Sequence, residues 1–244
     1  MPGTCTITIP TYNEEKNIVN MAKCIRELYP DFKIMFMDDN SKDDSKKLIE
    51  ELNDPLTILV SRDPNDRGLT ASVLQGIVDC NTDYFINMDC DFQHPPSILG
   101  EMYKELEEGC DLCIGTRADR FALGFVRWLG SWGFSMLANL YLVAKGKRVS
   151  KDPMSGLFGG RTNVFVPVIK KDLDRMEKRG WKVLLDLLIF GPSDLKITNV
   201  FYKFGRRMEG ESHINSNVII DTFNQLGRGG RFCARLYKKL KGKN

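Results

Sequence analysis

Hydrophobic and polar positions switch between two periods over the first 115 residues. Thr4 to Ile9 is a short β-rich run and reads as a strand. Ile18, Met21, Ala22, Ile25 and Leu28 then recur at helical spacing, with Asn13 as the N-cap and Glu14 and Glu15 in the first turn. Lys33 to Met37 reads as a second strand. Asp43 to Leu52 follows as a helix with Leu48, Ile49 and Leu52 inward, and Leu56 to Val60 as a third strand. Leu69 to Cys80 carries Leu69, Val73, Ile77 and Cys80 on one helical stripe. Tyr84 to Met88 is a fourth strand, Pro95-Pro96 opens another helix, and Leu112 to Ile114 is a fifth strand. Strands alternating with helices predict an α/β fold: a doubly wound, mainly parallel sheet flanked by helices.

Sheets of this kind bind ligands beyond the carboxyl ends of their strands. The polar residues that interrupt the pattern fall there. Pro10-Thr11-Tyr12-Asn13-Glu14 follows the first strand, Asp38-Asp39-Asn40-Ser41 the second, Asp89-Cys90-Asp91 the fourth and Gly115-Thr116-Arg117 the fifth. All four clusters are expected at one edge, a coincidence that a purely structural protein does not need.

The second half is less regular. Phe121 to Ala144 is apolar or small, broken mainly by Arg127 and Asn139. Its length nearly spans a bilayer, but three glycines and a central arginine favour a buried or an interfacial helix, the latter with Trp128 and Trp132 as headgroup-level anchors. Lys151 to Gly156 reads as a loop, Val164 to Phe190 as helix-rich, Lys196 to Phe204 as strand-like and Arg206 to His213 as a polar loop.

Composition narrows the function. Hydrophobic residues make up 42% of the chain, enough for a sizeable core, so general disorder is not expected. A net charge of +3, from 35 basic and 32 acidic residues, is too even for a nucleic-acid binder. Basic residues do gather late: Arg228, Arg231, Arg235, Lys238, Lys239, Lys241 and Lys243. Such a cluster is either a solvated tail or attracted to an anionic membrane, at about 1 kcal/mol per basic residue near the lipid. The seven cysteines read as reduced thiols of a cytosolic protein. Cys110-x-x-Cys113 lacks the second pair or histidines of a zinc site. No signal peptide is expected, because the N-terminus runs straight into a strand.

Asp89 and Asp91 on so short a loop can converge on one hard cation, Mg2+ or Mn2+, which shares its oxygen ligands with substrate phosphates. In glycosyl transfer that cation neutralises a departing diphosphate. Asp38 and Asp39 either accept from a ribose or a base edge or belong to a helix-start turn with Ser41 and Asp43. Tyr12 can cover a base face while Glu14 accepts from its edge. Arg117 and the pair Arg206-Arg207 are fork-shaped donors suited to phosphate. His94, beside two prolines, reads as structural.

These runs, together with Phe92-Gln93-His94-Pro95, Asp152-Pro153-Met154-Ser155-Gly156 and Gly210-Glu211-Ser212, resemble the family-2-type inverting glycosyltransferases of GT-A fold. The Arg117 loop, Gly180-Trp181-Lys182-Val183-Leu184 and Arg207 through Ser212 narrow the resemblance to dolichyl-phosphate mannose synthases, of the single-domain type without transmembrane helices. The resemblance covers residues 4 to 215. It implies one GT-A domain over 1–215, with a nucleotide-sugar half (1–117) and an acceptor half (118–215), followed by a basic tail (216–244).

The resemblance also assigns roles. Pro10, Tyr12, Glu14, Met37, Asp39, Asp89, Cys90, Gln93 and Lys182 would hold GDP-mannose; Asp89, Asp91 and Gln93 would hold the metal. Arg117, Arg207, Ser212 and His213 would meet the phosphate of a polyprenyl or dolichyl acceptor, and Asp91, Arg117 and Arg207 would be catalytic. The site would work at the cytoplasmic side of a membrane, the protein peripheral or held by a small membrane-anchoring subunit. Cys90 replaces a usual Ala and His213 a usual Lys; imidazole is less reliably cationic near neutral pH. Three alternatives stay open: a polyprenyl-phosphate glucosyltransferase using UDP-glucose, a transferase to a hydroxyl with Asp152 or Asp186 as base, and a non-catalytic nucleotide-sugar-binding subunit.

Overall fold

A computed structural model describes residues 3–118, 125–176 and 182–205, with side chains from 132 onward in the helix that begins at 125. Arg207, Ser212, His213 and the basic tail lie outside the described residues.

The first five strands are β1 (Cys5–Thr11), β2 (Lys33–Asp38), β3 (Thr57–Ser61), β4 (Tyr84–Asn87) and β5 (Leu112–Arg117). Between them run α1 (Ile18–Leu28), α2 (Ser45–Glu51), α3 (Leu69–Asp79) and α4 (Leu99–Glu107), the last entered through a 3-10 turn at Pro96–Ile98. Then come α5 (Phe125–Ala144), β6 (Phe158–Arg161), α6 (Thr162–Asp172), α7 (Val183–Phe190) and β7 (Ile197–Tyr202).

The described strands form one sheet in the order β3-β2-β1-β4-β6-β5-β7. All neighbours are parallel except β6, which runs antiparallel to β4 and β5. Two reversals restore the original direction, so β5 and β7 point the same way as β1. The α/β reading holds, and the carboxyl ends of β1, β2, β4 and β5 share one edge. Because β6 enters from that edge, the Asp152–Gly156 run just before it lies there too.

Two expectations need correction. Asn13 does not cap α1: it stands in a left-handed turn (φ 56°), and the helix begins at Ile18 with Asn17 as the flanking residue. Glu14 and Glu15 therefore precede the helix; the backbone N–H groups of Asn17 and Ile18 both donate to the Glu14 carbonyl. The second correction is β6 itself, a strand where none was expected. Its Gly159 and Gly160 leave no room for side chains: a Cβ on Gly159 would lie 2.8 Å from the Phe85 carbonyl oxygen, and one on Gly160 2.8 Å from the Phe165 ring. Glycine usually weakens a strand. Here it lets a central strand slip beneath α6 and beside β4.

Two cores sandwich the sheet. One packs α1 and α4 against β1, β2 and β4 through Ile7, Ile9, Met21, Ile25, Phe36 and Met102. The other packs α3, α6 and α7 through Leu74, Phe85, Phe158, Phe165 and Leu184, with Ala138 and Leu142 of α5 against it. Among the described residues, no helix is long and apolar enough to cross a membrane. Cys110 and Cys113 are buried at the start of β5, away from the carboxyl edge, and their thiols contact each other, which pushes Cys113 up and Cys110 down.

Candidate active site

The sheet edge divides into a base-side wall and a phosphate-side wall. On the base side the β1 and β2 ends are tied together: the Asp39 N–H donates to the Thr11 carbonyl (2.9 Å) and the Asn13 N–H to Ser41 Oγ (2.8 Å). The two aspartates then part company. Asp38 is buried and accepts from the Ser41 N–H and hydroxyl, so it builds the turn. Asp39, its side chain 14% exposed, is held by Arg62 Nη1 (2.9 Å) and the Gly68 N–H (3.0 Å). The Arg67 guanidinium lies 5.2 Å from the centroid of the exposed Tyr12 ring, and its hydrogen bond is the main cause of a lowered Tyr12 hydroxyl pKa. Glu14 accepts from Asn17 Nδ2 and sits close enough to the buried Cys90 for its charge to help raise that thiol, after burial itself. Thr11 Oγ1 and Asn40 Nδ2 are buried at this edge without a protein partner.

The acidic loop divides the two walls. Asp91 is buried and accepts from the Gln93 N–H (3.0 Å), whereas the Asp89 side chain is 43% exposed. Phe92, directly after Asp91, takes a left-handed conformation (φ 62°), and the Gly205 N–H donates to the Gln93 carbonyl (2.9 Å), so the chain beyond β7 clamps the loop. His94 is buried under Tyr202 and Phe204, and its Nδ1 accepts from the Asp89 N–H (3.1 Å). Burial pushes its pKa down, and the accepting Nδ1 fits a neutral ring. His94 thus supports the loop and does not join the donor set, which is left to oxygens. Hard divalent cations favour such a set. Among the described residues no group of three acidic, His or Cys side chains could cage a metal, so a cation at Asp89 and Asp91 would complete its shell with substrate phosphate and water.

Two cations form the far wall. Arg117, at the end of β5, lies 4.1 Å from the centroid of the Phe204 ring. Lys182, at the entrance to α7, donates to the Met154 carbonyl (2.8 Å). Its pKa is lowered to about 8, first by burial and then by Arg117, while Asp152 and Asp89 act in the opposite sense. Arg117, Lys182, Asp152 and Asp89 are thus within electrostatic reach of one another although nearly a hundred residues separate Asp89 from Lys182.

The structure brings Tyr12, Glu14, Asp39, Asp89, Asp91, Gln93, Arg117 and Lys182 to one edge, with Pro10 in the last turn of the β1 ladder and Cys90 beneath the acidic loop. Met37 stands apart. Its side chain is fully buried, and a Cβ on Gly76 of α3 would lie 3.0 Å from it, which places it in the core behind the edge. Arg62 was absent from the sequence reading. An arginine just after a strand resembles any surface residue until its burial is seen.

A model of glycosyl transferase family 2 matches residues 6–166, and this geometry accords with it. The chain belongs to glycosyl transferase family 2. Among curated relatives of the chain, the dolichol-phosphate mannosyltransferase of Pyrococcus furiosus is 30% identical over 232 residues, covering 91% of this chain and 62% of the relative. The enzyme of the same name from Saccharomyces cerevisiae is 28% identical, covering 91% of this chain and 85% of its own length. The chain therefore spans less than two thirds of the Pyrococcus protein and most of the yeast one. Among solved structures, glucosyl-3-phosphoglycerate synthase from Mycobacterium tuberculosis, in complex with Mn2+, UDP and glucosyl-3-phosphoglycerate, matches with a TM-score of 0.57 at 16% identity, covering 92% of this chain and 80% of that one. At that identity the likeness speaks for the fold, which is the GT-A type.

Proposed function

We propose that this family-2 glycosyltransferase moves mannose from GDP-mannose to a polyprenyl phosphate such as dolichyl phosphate, with inversion and with Mg2+ or Mn2+. The observation that carries this reading is the meeting of the acidic loop with Arg117 and Lys182 across one sheet edge. The names of the curated relatives, dolichol-phosphate mannosyltransferases, support the choice of sugar and acceptor.

In this reading Tyr12, Glu14 and Asp39 hold the nucleoside, with Pro10 and Cys90 shaping its floor. Asp89, Asp91 and Gln93 hold the cation, which when bound offsets charge on the diphosphate. Arg117 and Lys182 flank the diphosphate, and Arg117, with Arg207, Ser212 and His213 from outside the described residues, meets the acceptor phosphate. A phosphate oxygen of the acceptor forms a bond to the sugar C1 as the bond from C1 to the diphosphate oxygen breaks, and GDP leaves. A phosphate monoester with a second pKa of about 6 is largely ionised at neutral pH, so it needs no strong general base. The neutral, engaged state of His94 fits that economy. Positioning and charge neutralisation then supply most of the rate.

In this reading the lipid acceptor requires the site to work beside a membrane, with the protein peripheral, and we place it on the cytoplasmic side. The outer face of α5 supports that placement: Trp132, Met136, Leu140 and Val143 are exposed along one helical stripe, opposite the buried Ala138 and Leu142. Lys145, Arg148 and Lys151 follow it and are exposed. Such a stripe with basic neighbours suits an anionic bilayer surface, and a small membrane-anchoring subunit would find the same face available.

The decisive assay offers GDP-mannose and UDP-glucose in parallel with dolichyl phosphate, with and without chelator. Chelator-sensitive mannosyl transfer from GDP-mannose is the expected result. Transfer from UDP-glucose alone would overturn the mannose reading and leave the fold untouched. Transfer only to a sugar or protein hydroxyl would move attention to Asp152 or Asp186 as base.

A further inference from the structure

Arg62 spends nearly all of its hydrogen-bonding capacity inside the protein. Its side chain is 1% exposed. Nε donates to Gln75 Oε1 (3.0 Å), Nη1 to Asp39 Oδ1 (2.9 Å) and Ser72 Oγ (3.1 Å), and Nη2 to the Asp66 carbonyl (2.8 Å). A guanidinium has five N–H donors, so almost nothing remains for a ligand. The same residue's backbone N–H donates to the Asp38 carbonyl (3.0 Å). Arg62 therefore fastens three pieces together: the end of β2, the loop 63–68 and the first turns of α3.

That loop returns to the site. Gly68 takes φ 136°, a conformation disfavoured for residues with a side chain, and this turns its N–H onto Asp39 Oδ2. Arg67, 45% exposed, then donates from Nη2 to the Asp39 carbonyl (3.2 Å) and covers Tyr12. A carboxylate offers about four lone-pair sites, so Asp39 keeps acceptor capacity toward solvent after Arg62 and Gly68 are served.

We propose that Arg62 is a positioning residue for the nucleoside half of the donor: it fixes the Asp39 carboxylate and the Arg67–Tyr12 wall without touching the ligand. This rests on the reading of Tyr12 and Asp39 as the nucleoside site. Replacing Arg62 leaves Asp39 without its charged partner and releases the loop, so the base and ribose bind less well while the diphosphate end keeps its contacts at the acidic loop. Loss of a charge-assisted hydrogen bond of this kind corresponds to roughly tenfold to a hundredfold in affinity.

The test measures binding of guanosine monophosphate and of inorganic pyrophosphate with Mn2+ to Arg62→Lys and Arg62→Met, beside donor KM and kcat. The expected result is a rise of about tenfold or more in the Kd for the nucleotide and in donor KM, with pyrophosphate binding and kcat little changed, and with Arg62→Lys milder than Arg62→Met. In an Asp39→Asn background the Arg62 effect should shrink, because its target is already neutral. If the Arg62 variants fail to fold, Ser72→Ala with Gln75→Ala loosens the same guanidinium from behind and should weaken the nucleotide several-fold. Equal losses for nucleotide and pyrophosphate, or unchanged nucleotide binding, would overturn the proposal. Preference of the parent protein for uridine monophosphate would change the assigned base and leave the Arg62 test to be read with that probe; binding of neither nucleotide by the parent would sink both readings.

Discussion

The two walls of the site are built differently. On the base side, neighbouring strand ends and a short loop are joined by specific hydrogen bonds, many of them between residues close in sequence: Asp38 with Ser41, Arg62 with Asp66 and Ser72. On the phosphate side, Arg117, Asp152 and Lys182 come from distant segments that strand packing gathers, with Lys182 donating to the Met154 carbonyl across the gap. The antiparallel β6 makes that possible, since it delivers the Asp152–Gly156 run to the carboxyl edge and Ser155 Oγ then donates to the Gly115 carbonyl (2.6 Å). The base wall is thus preorganised by charge pairing, while the phosphate wall holds crowded cations whose charge a diphosphate would balance. Burial, with Arg117 adding to it, depresses Lys182 and leaves it sensitive to pH.

The acidic loop joins the two walls, and its loss should have the largest effect. Asp91→Asn keeps an oxygen to accept the Gln93 N–H and removes only the charge. Turnover with Mg2+ or Mn2+ should fall at least about a hundredfold, with melting temperature close to the parent's. Near-normal turnover would remove the metal from the mechanism and leave the walls without their proposed link.

A second experiment addresses the phosphate wall through pH. Lys182 with a pKa lowered to about 8 is charged below that value and neutral above it. If its charge holds the diphosphate, kcat/KM for the donor should decline above about pH 8, to about a tenth of its plateau one unit higher, and Lys182→Met should abolish that limb. Stability should move the other way. In the unfolded chain the group titrates near 10.5, so between about 8 and 10.5 the unfolded state binds more protons, and the penalty this buried lysine places on folding is relieved as pH rises. A variant lacking Lys182 should lose both trends together. An unchanged activity limb in Lys182→Met would assign it to another group.

The outer face of α5 tests whether the phosphate wall also faces lipid. Leu140 is 65% exposed, so Leu140→Glu should fold normally. Flotation with anionic vesicles should then drop about fivefold, from loss of apolar insertion and added repulsion, while donor binding in solution stays the same. Vesicle binding indifferent to both Leu140→Glu and Val143→Glu would move the membrane contact off this helix.

How much of this was legible in the sequence follows the same division. The base wall could be read because its elements alternate regularly and each polar cluster directly follows an apolar strand. The acidic loop could be read for the same reason, with Pro95-Pro96 marking the next turn. Two kinds of feature escaped. β6 was invisible because Phe158-Gly159-Gly160-Arg161 has the composition of a turn, and only the approach of Phe85 and Phe165 explains the glycines. Arg62 was invisible because nothing local distinguishes a buried arginine from an exposed one; its partners Asp39, Ser72 and Gln75 meet only when β3 pairs with β2 and α3 packs against the sheet. Asn13 misled for a related reason: it has the side chain of a cap, but here its Oδ1 accepts from the Lys42 N–H across the turn at the strand ends.

Met37 gives the smallest effect and the sharpest limit on the base wall. The family resemblance assigns it to the donor, next to Asp39. In the structure its side chain points away from the edge into the packing beneath α3, fully buried against Gly76. Its backbone is committed to the ladders that pair it with Pro10 and Val60. Met37→Leu nearly conserves volume and should cost less than about 1.5 kcal/mol of stability, read as a small shift in urea midpoint. Donor KM and guanosine monophosphate affinity should stay within twofold or so of the parent, unlike the changes expected at Arg62, although Met37 lies only two residues before Asp39. A donor KM raised as much by Met37→Leu as by Arg62→Lys would show that the wall responds to any disturbance of the β2 end, and the distinction between charge-held and packing-held positions would fail.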